Sequence, residues 1–160
     1  MAQDHSPHAA EVPALIAHIV ERFHEAHRRE LPVLVALAGG LGAAGAGLAE
    51  HLAAMADALE RHMFKEEMRL FPMMEQGGSS LVGLLIDDLL REHRAHDEAV
   101  GRLEALMAGL VVPAGHDDAA DGLRAGVARL VADLAEHVRL EDDQLFPRFA
   151  ASPRSPTRRP

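Results

Sequence analysis

The chain has 160 residues, a formal net charge of −9 and no cysteine. The negative charge argues against a nucleic-acid partner, because phosphate binding requires clustered Lys and Arg. The absence of cysteine excludes disulfides, thiolate metal sites, cysteine-ligated iron–sulfur clusters and cysteine nucleophiles. The length is sufficient for one domain with a buried core.

Both ends of the chain, residues 1–12 and 151–160, are predicted to be disordered tails. The N-terminal segment has no apolar stretch of the kind found in a signal peptide. No apolar run reaches the roughly 18 residues that a membrane span requires. We therefore expect a cytoplasmic protein without a membrane partner, present as a monomer or weak dimer.

Apolar residues at helical spacing predict a first helix from Pro13 to about Ala38. Pro13 suits the first turn of a helix, where its missing N–H costs nothing. Pro32 lies inside the pattern and is expected to kink the helix or loosen one turn. Five glycines among residues 39–47 predict the end of the helix and a connection.

Three more long helices are predicted, at about residues 48–74, 81–107 and 117–146. Short segments rich in Gly, Ser or Pro separate them. Long helices joined by short links are typical of antiparallel neighbours. The sequence therefore predicts an all-α, up-down-up-down four-helix bundle over residues 13–150.

One pattern, H-x-x-x-E-x-x-x-L-F-P, occurs twice, at residues 62–72 and 137–147. Residues four positions apart share a helix face, so each copy aims one imidazole and one carboxylate in the same direction. A single pair of this kind is usually a surface feature. Two copies on facing helices would instead converge inside a bundle, where metal sites recur. The two pairs are His62 with Glu66 and His137 with Glu141.

Histidines on the other two helices complete the predicted set. His93 precedes His137 by 44 residues, a spacing that places the two at equal height in an antiparallel hairpin. The first half offers two candidates, since His18 lies 44 and His24 lies 38 residues before His62. Four imidazoles and two carboxylates suit a pair of iron ions, although Zn or Mn also fits such donors. The set leaves an open coordination position for O2, NO or water.

Four segments share the order and residues of one known domain: residues 15–32 with R-F-H-E-A-H-R-R-E-L-P, both repeated copies, and E-H-R-A-H at 92–96. Together they resemble the hemerythrin-like (HHE cation-binding) domain of the "repair of iron centres", or iron–sulfur cluster repair, di-iron proteins. The similarity covers about residues 14–150 and selects His24 rather than His18. It implies a non-haem, oxo-bridged di-iron site with terminal ligands His24, His62, His93 and His137 and bridging ligands Glu66 and Glu141.

Two departures from that family are apparent. Full-length members usually carry an extra N-terminal domain with a cysteine pair, and this chain is expected to lack it. The first connection is also short, whereas relatives have a longer one that can carry another histidine. We therefore expect the chain either to bind metal alone or to need a partner for repair.

The neighbours of the predicted ligands have less defined roles. His27 and His96 each lie three residues after a predicted ligand and are either its hydrogen-bond partner or surface and core filler. Glu67, Asp142 and Asp143 are expected on a charged outer face. The Leu-Phe-Pro segments are expected to pack in the core and at helix ends.

The resemblance implies a stress-response function. Relatives of this kind are linked to the repair of iron–sulfur clusters damaged by nitric oxide or peroxide, through iron delivery to the damaged proteins. A hemerythrin-type O2 or NO binding or sensing protein is the alternative. An enzyme that reduces NO or peroxide would need an electron donor, for which no flavin or cysteine route is visible. An iron donor is favoured over an enzyme, so no catalytic residue is assigned, and a metal-free interaction bundle is the remaining possibility.

Overall fold

The computed structural model describes residues 7–149, and this part of the chain is helical without a strand. It forms four long helices, as the sequence predicts. The first consists of α1 (Pro7–Ile19), a π-helical turn (Val20–His24) and α2 (Glu25–Gly40). The second consists of α3 (Ala46–Lys65), a π-helical turn (Glu66–Leu70) and α4 (Phe71–Glu75). The third is α5 (Val82–Ala108). The fourth consists of α6 (Asp117–Leu140), a π-helical turn (Glu141–Leu145) and a 3₁₀ turn (Phe146–Arg148).

The first helix differs from the prediction at its start and in its interior. It begins at Pro7, six residues before the predicted start at Pro13. Val12 and Ile16 are buried, and this packing extends the helix toward the N-terminus. The loosened turn lies at Val20–His24 rather than at Pro32, through which α2 is continuous. Residues 1–6 and the predicted C-terminal tail at 151–160 lie outside the described residues.

Two glycines permit the tight connection between α2 and α3. Gly42 has a φ of +63°, a left-handed conformation that side chains with a Cβ rarely adopt. At Gly45 a Cβ atom would lie 1.9 Å from the carbonyl oxygen of Ala38, closer than any real contact. The glycine-rich segment therefore forms a closely packed turn that contains a 3₁₀ segment, Gly42–Ala44.

The first long helix packs against the second and the fourth, and α5 packs against α3. Apolar side chains fill two separate clusters along the helices. The first contains Leu34, Leu59, Leu103, Leu130 and other residues, and the second contains Ile19, Leu70, Leu89, Leu145 and others. On each long helix the predicted metal ligands lie at the junction between the two clusters. The bundle thus holds a polar layer between two apolar ones. Among the described residues, no helix is both long and apolar enough to traverse a lipid bilayer.

Candidate metal centre

Three of the four long helices contain a π-helical turn at a predicted ligand. One turn ends at His24, and the other two begin at Glu66 and Glu141. In the last two, the N–H of the following Phe donates to the Glu carbonyl oxygen five residues earlier. The next residue is Pro72 or Pro147, which lacks the N–H that would continue an α-helix. The repeated L-F-P sequence therefore ends each π turn, and such turns are frequent at functional sites.

The structure brings all six predicted residues together in the bundle interior. They form two groups that share both carboxylates. Each of the six is no more than 5% exposed. One group, here called the His24–His137 position, contains His24, His137, Glu66 and Glu141. The other, the His62–His93 position, contains His62, His93, Glu66 and Glu141.

Within each position, two imidazole nitrogens face each other. The Nε2 atoms of His24 and His137 are 3.1 Å apart, and those of His62 and His93 are also 3.1 Å apart. Two nitrogens bound to one metal at about 2.1 Å lie roughly 3.0 to 3.4 Å from each other, depending on the coordination angle. Each pair is therefore spaced as two ligands of one ion.

Each glutamate contacts one histidine of each position. The Glu66 oxygens lie 3.2 Å from His62 Nε2 and 3.3 Å from His24 Nε2. The Glu141 oxygens lie 3.0 Å from His137 Nε2 and 3.1 Å from His93 Nε2. The two oxygens of a single carboxylate thus face different positions. This is the arrangement required of a carboxylate that bridges two cations.

Three of the four histidines are oriented by a carboxylate outside the centre. Each donates its Nδ1–H to one oxygen: His24 to Glu67 at 2.7 Å, His62 to Glu92 at 2.8 Å and His93 to Asp142 at 2.8 Å. This bond places the single proton of a neutral imidazole on Nδ1 and leaves a lone pair on Nε2, directed into the centre. Glu67 and Asp142 therefore do not belong to an outer charged face, and that prediction is wrong.

The fourth histidine has a different partner. His137 Nδ1 lies 3.3 Å from His27 Nε2, so the two imidazoles share a hydrogen bond. His96 occupies the corresponding place after His93, but Glu92 already accepts the proton of His62. The His96 ring packs edge-on against His62 at 4.9 Å, and its buried Nε2 has no hydrogen-bond partner in the part of the chain that the structure describes. Of the two residues, His27 is a hydrogen-bond partner of a predicted ligand, and His96 is packed beside one.

Two of the orienting carboxylates are linked to a cation and a further carboxylate. Arg28 donates to Glu67 at 2.8 Å and to Glu60 at 2.9 Å. On the other side Lys65 donates to Glu92 and, at 2.9 Å, to Asp88. Each of these two series of hydrogen bonds leads from a histidine of the centre to the protein surface. These contacts hold the orienting carboxylates in place.

Aromatic rings cover three of the imidazoles. Phe71 stacks on His24 with ring centroids 5.9 Å apart, and Phe146 stacks on His93 at 5.8 Å. Phe23 stacks on His137 at 5.7 Å. The two Leu-Phe-Pro segments are buried in the second apolar cluster, as predicted. Their phenylalanines additionally fix the planes of two histidines and exclude water from them.

The pKa values of the free side chains show that the centre attracts positive charge. Burial opposes the charged form of His93, yet Asp142 and Glu141 raise its pKa to about 10. Burial likewise opposes the charged forms of His24 and His62, but nearby carboxylates raise both pKa values. Burial likewise opposes the charged form of Glu141, but His137 and His93 hold the pKa of this carboxyl below its usual range. A cation of either kind, proton or metal, is therefore favoured here.

The hydrogen-bond inventory tests whether the donors fit a metal. Among residues 7–149, both oxygens of Glu66 and one oxygen of Glu141 are fully buried without a hydrogen-bond partner. Buried polar atoms are rarely left without a partner. A neutral imidazole whose proton is on Nδ1 presents a lone pair on Nε2, and imidazole nitrogens that converge with carboxylate oxygens fit iron, zinc or manganese.

Other histidines lie away from the centre. His18 is exposed, which excludes it as the alternative to His24, and its ring packs against Phe23. His51 Nε2 donates to the Ala99 carbonyl oxygen at 2.8 Å. Sequence reasoning missed Glu92 as a partner of the centre. Its signal was its place directly before His93, but the pairing with His62 depends on the packing of α3 against α5.

A family model described as the Hemerythrin HHE cation binding domain matches residues 15–149. The chain is 37% identical over 149 residues to the iron-sulfur cluster repair protein DnrN of Neisseria gonorrhoeae, covering 90% of this chain and 95% of that protein. It is 38% identical over 146 residues to the iron-sulfur cluster repair protein YtfE of Edwardsiella ictaluri, covering 87% of this chain and 66% of the relative. For YtfE of Yersinia pseudotuberculosis the identity is 34% over 155 residues, covering 89% and 70%.

Proposed function

Because the chain belongs to the hemerythrin HHE cation-binding domain family, we propose that it holds two iron ions and delivers iron for the repair of damaged iron–sulfur clusters. His24 and His137 bind one ion, and His62 and His93 bind the other. Glu66 and Glu141 bridge the two.

The bridging geometry of the carboxylates is the observation that supports two ions rather than one. Each Glu has one oxygen beside a histidine of each position, within 3.3 Å. A single ion at one position would leave two buried carboxylate oxygens without a partner. Two cations satisfy all four oxygens and all four Nε2 lone pairs.

The donor set of each position suits iron. Each position offers two imidazoles and two carboxylate oxygens, with no sulfur. Such hard and borderline donors suit iron, and four protein ligands leave up to two places of an octahedron. When bound, iron supplies ligand exchange and one-electron chemistry at the centre. The protein residues orient the imidazoles, exclude water from their faces and hold the Nδ1 protons in place.

The repair role is supported by the relatives and by access to the centre. The relative that this chain covers almost completely is named an iron-sulfur cluster repair protein. The chain spans 66% and 70% of two longer relatives with that name, so it is compared with only part of them. A cavity of about 510 Å³ borders His93, His96 and Asp142, and one of about 390 Å³ borders Glu92 and His96. Iron reaches acceptor proteins damaged by nitrosative or oxidative stress through such openings.

A hemerythrin-type O2 or NO binding or sensing protein is the second candidate. The observation that favours it is the ligand count, since four protein donors at each position leave room for a small molecule. The two functions differ in what happens to the iron. A carrier or sensor retains iron when it meets a chelator, whereas a donor releases it.

The arrangement of the helices and the domain boundaries belong to the same proposal. The long helices run up-down-up-down, and residues 13–150 form one hemerythrin-like domain. The order of the two apolar clusters along the chain supports this direction. The first helix runs from the cluster with Ile19 to the cluster with Leu34, the second runs in the opposite sense, and the alternation continues through the third and fourth.

The experiment that tests the function is iron transfer from the purified protein. We expect about two irons per chain, a near-ultraviolet absorption of the ferric form, and transfer of iron to an apo iron–sulfur protein that regains its cluster when sulfide is supplied. Glu66→Gln removes a bridging charge and should lower the iron content to one or fewer. His18→Gln, an exposed histidine of the same bundle, is the matched control. Two irons that resist both chelator and acceptor, with a reversible spectral change on adding O2 or NO, would instead support the second candidate.

A further inference from the structure

We propose that iron enters and leaves the centre through the 510 Å³ cavity that borders His93 and Asp142, here called the α5–α6 cavity. The 390 Å³ cavity that borders Glu92 and Lys65, here called the α3–α5 cavity, is not the path of the metal. This proposal rests on the proposed function, because it names the path that the delivered iron takes. Its basis is the place at which the ligands meet solvent and the charge of the two cavity walls.

The predicted ligands meet solvent at His93. The exposed fraction of His93 is 5%, whereas that of each of the other five is at most 1%. His93 also forms part of the wall of the α5–α6 cavity, together with its hydrogen-bond partner Asp142. The α3–α5 cavity borders Glu92 and His96 but none of the six predicted ligands. An ion in the α5–α6 cavity can therefore reach a ligand directly.

A second imidazole lines the α5–α6 cavity, one helical turn after His93. His96 is 7% exposed, and its Nε2 has no hydrogen-bond partner among residues 7–149. Imidazole nitrogen is a ligand for iron and zinc. The inner end of this cavity thus offers an unpartnered nitrogen beside a predicted ligand, which favours a metal ion over an apolar molecule. His96 borders the α3–α5 cavity as well, so the charges of the walls decide between the two paths.

The walls of the two cavities have opposite formal charges when histidines are counted as neutral. The α5–α6 cavity is lined by four carboxylates and one guanidinium, a formal charge of −3, from Asp97, Glu104, Asp142, Asp143 and Arg139. The α3–α5 cavity is lined by two cations and one carboxylate, a formal charge of +1, from Arg61, Lys65 and Glu92. A divalent cation is therefore attracted to the first cavity and repelled by the second.

Ion pairs with residues outside the walls preserve this difference. Glu136 pairs with Arg139 at 2.7 Å and adds a negative charge beside the α5–α6 cavity. Asp88 pairs with Lys65 beside the α3–α5 cavity, but its charge is matched by that of Arg91. The contrast between the two walls therefore does not depend on where the boundary of each cavity is drawn.

The charge of a cleft affects the rate at which ions enter it. A cleft lined by one sign of charge raises the association rate of opposite ions by about 10–10³. Asp97, Glu104 and Asp143 are exposed, which places the expected effect at the lower end, about tenfold. Salt reduces the effect, since the Debye length falls from about 30 Å at 0.01 M to about 8 Å at 0.15 M.

Filling each cavity in turn tests the path. Ala135 lines the α5–α6 cavity and Ala95 lines the α3–α5 cavity, and both alanines are exposed. The metal-free proteins are mixed anaerobically with Co(II), which these donors also bind and whose visible absorption reports binding. Release is followed after addition of excess chelator. We expect Ala135→Phe to slow uptake and release several-fold and by the same factor, because both use one path, so that affinity is unchanged. Ala95→Phe should leave both rates unchanged.

Removing charge from the wall is a second measurement that needs no bulky side chain. Asp97→Asn combined with Glu104→Gln removes two exposed carboxylates that are not part of the centre. We expect Co(II) uptake at 0.01 M ionic strength to slow by about three- to tenfold, and the difference to shrink near 0.15 M. Asp87→Asn combined with Glu98→Gln is the matched control. It removes the same charges from exposed positions of α5 outside both cavities and should leave the rate unchanged.

Three outcomes would overturn the proposal. The first is that Ala95→Phe rather than Ala135→Phe slows the metal, and the second is that neither variant does. The third is an equal loss of rate in the two charge variants, because overall charge would then attract the metal and the wall would not select the path. All three leave the proposed function intact, since metal still binds. A native protein that binds neither iron nor Co(II) would refute the proposed function itself.

Discussion

Pro72 lies six residues after Glu66 and follows Phe71, whose N–H closes the π-helical turn that Glu66 begins. Pro147 has the same relationship to Glu141. A proline at this place removes the N–H that would let the α-helical pattern continue through the turn. The repeated prolines therefore help to set the backbone from which the two bridging carboxylates project.

Restoring that N–H should weaken the centre. In Pro72→Ala an α-helical turn competes with the π turn, which shifts the Glu66 carboxylate from both positions. We expect Fe(II) affinity to fall by about tenfold, as for other changes that misorient a ligand. Competition with a chromophoric chelator measures it. Pro32→Ala, a change at a proline inside α2, is the control and should leave affinity unchanged. Equal affinities of Pro72→Ala and the native protein would show that the π turn does not depend on Pro72.

The hydrogen bond between Glu67 and His24 provides a second test. Glu67→Gln keeps an acceptor for the Nδ1–H but removes its charge, and we expect metal affinity at the His24–His137 position to fall by about 10–100-fold. Glu60→Gln changes the carboxylate on the far side of Arg28 and should have a smaller effect. Titration of the metal-free variants with Fe(II) separates the two. An equal loss of metal affinity in both variants would mean that Glu67, Arg28 and Glu60 act as one unit.

The stability of the metal-free protein should fall as the pH rises above neutrality. Although burial opposes the charged form, Asp142 and Glu141 raise the pKa of His93 from 6.5 to about 10. A raised folded pKa stabilises the protein fully below pH 6.5, and this contribution is lost as the pH rises through about 10. We expect the free energy of unfolding to decrease by a few kcal/mol over this range.

Urea unfolding of chelator-treated protein between pH 6.5 and 10 measures the decrease. Metal competes with the same proton, so Fe(II) affinity should rise over the same interval. A metal-loaded sample serves as the control and should show a much smaller change. A metal-free protein whose stability increases with pH would contradict the charge distribution of the centre.

The loss of stability at acidic pH should depend on the two buried histidines that are not predicted ligands. Burial and neighbouring imidazoles lower the pKa of His96 to about 4 and that of His27 to about 3. Both are neutral in the folded state, and their contribution is complete above pH 6.5 and is lost as the pH falls toward these values. His96→Phe should therefore flatten the loss of stability between pH 6.5 and 4.

The same substitution should also raise stability at pH 7 by about 1 kcal/mol, because it removes a buried nitrogen without a partner. Thermal or urea unfolding of the native protein and the variant gives both quantities. Arg94→Ala, an exposed change on the same helix, is the control. If the native protein and His96→Phe show parallel acid transitions, His96 is not responsible for the acid sensitivity.

The helical class, the number of long helices and the family could be predicted from the amino-acid sequence, because they depend on local spacing and on short motifs. His62, Glu66, His137 and Glu141 could also be identified, because each copy of the repeated pattern places one His and one Glu on the same face of a helix. His24 could not be separated from His18 by spacing alone, because both lie on the same helix at compatible heights.

The side chains that surround these ligands could be identified only from the packing of the helices. Glu92 reaches His62 from another helix, and Glu67 turns inward to His24 although it sits beside a predicted ligand. Such pairings depend on how the helices pack against one another, which no local pattern encodes. The replacement of a carboxylate by His27 at His137 has the same origin. The repeat in the sequence is nearly symmetrical, but the packing around it is not.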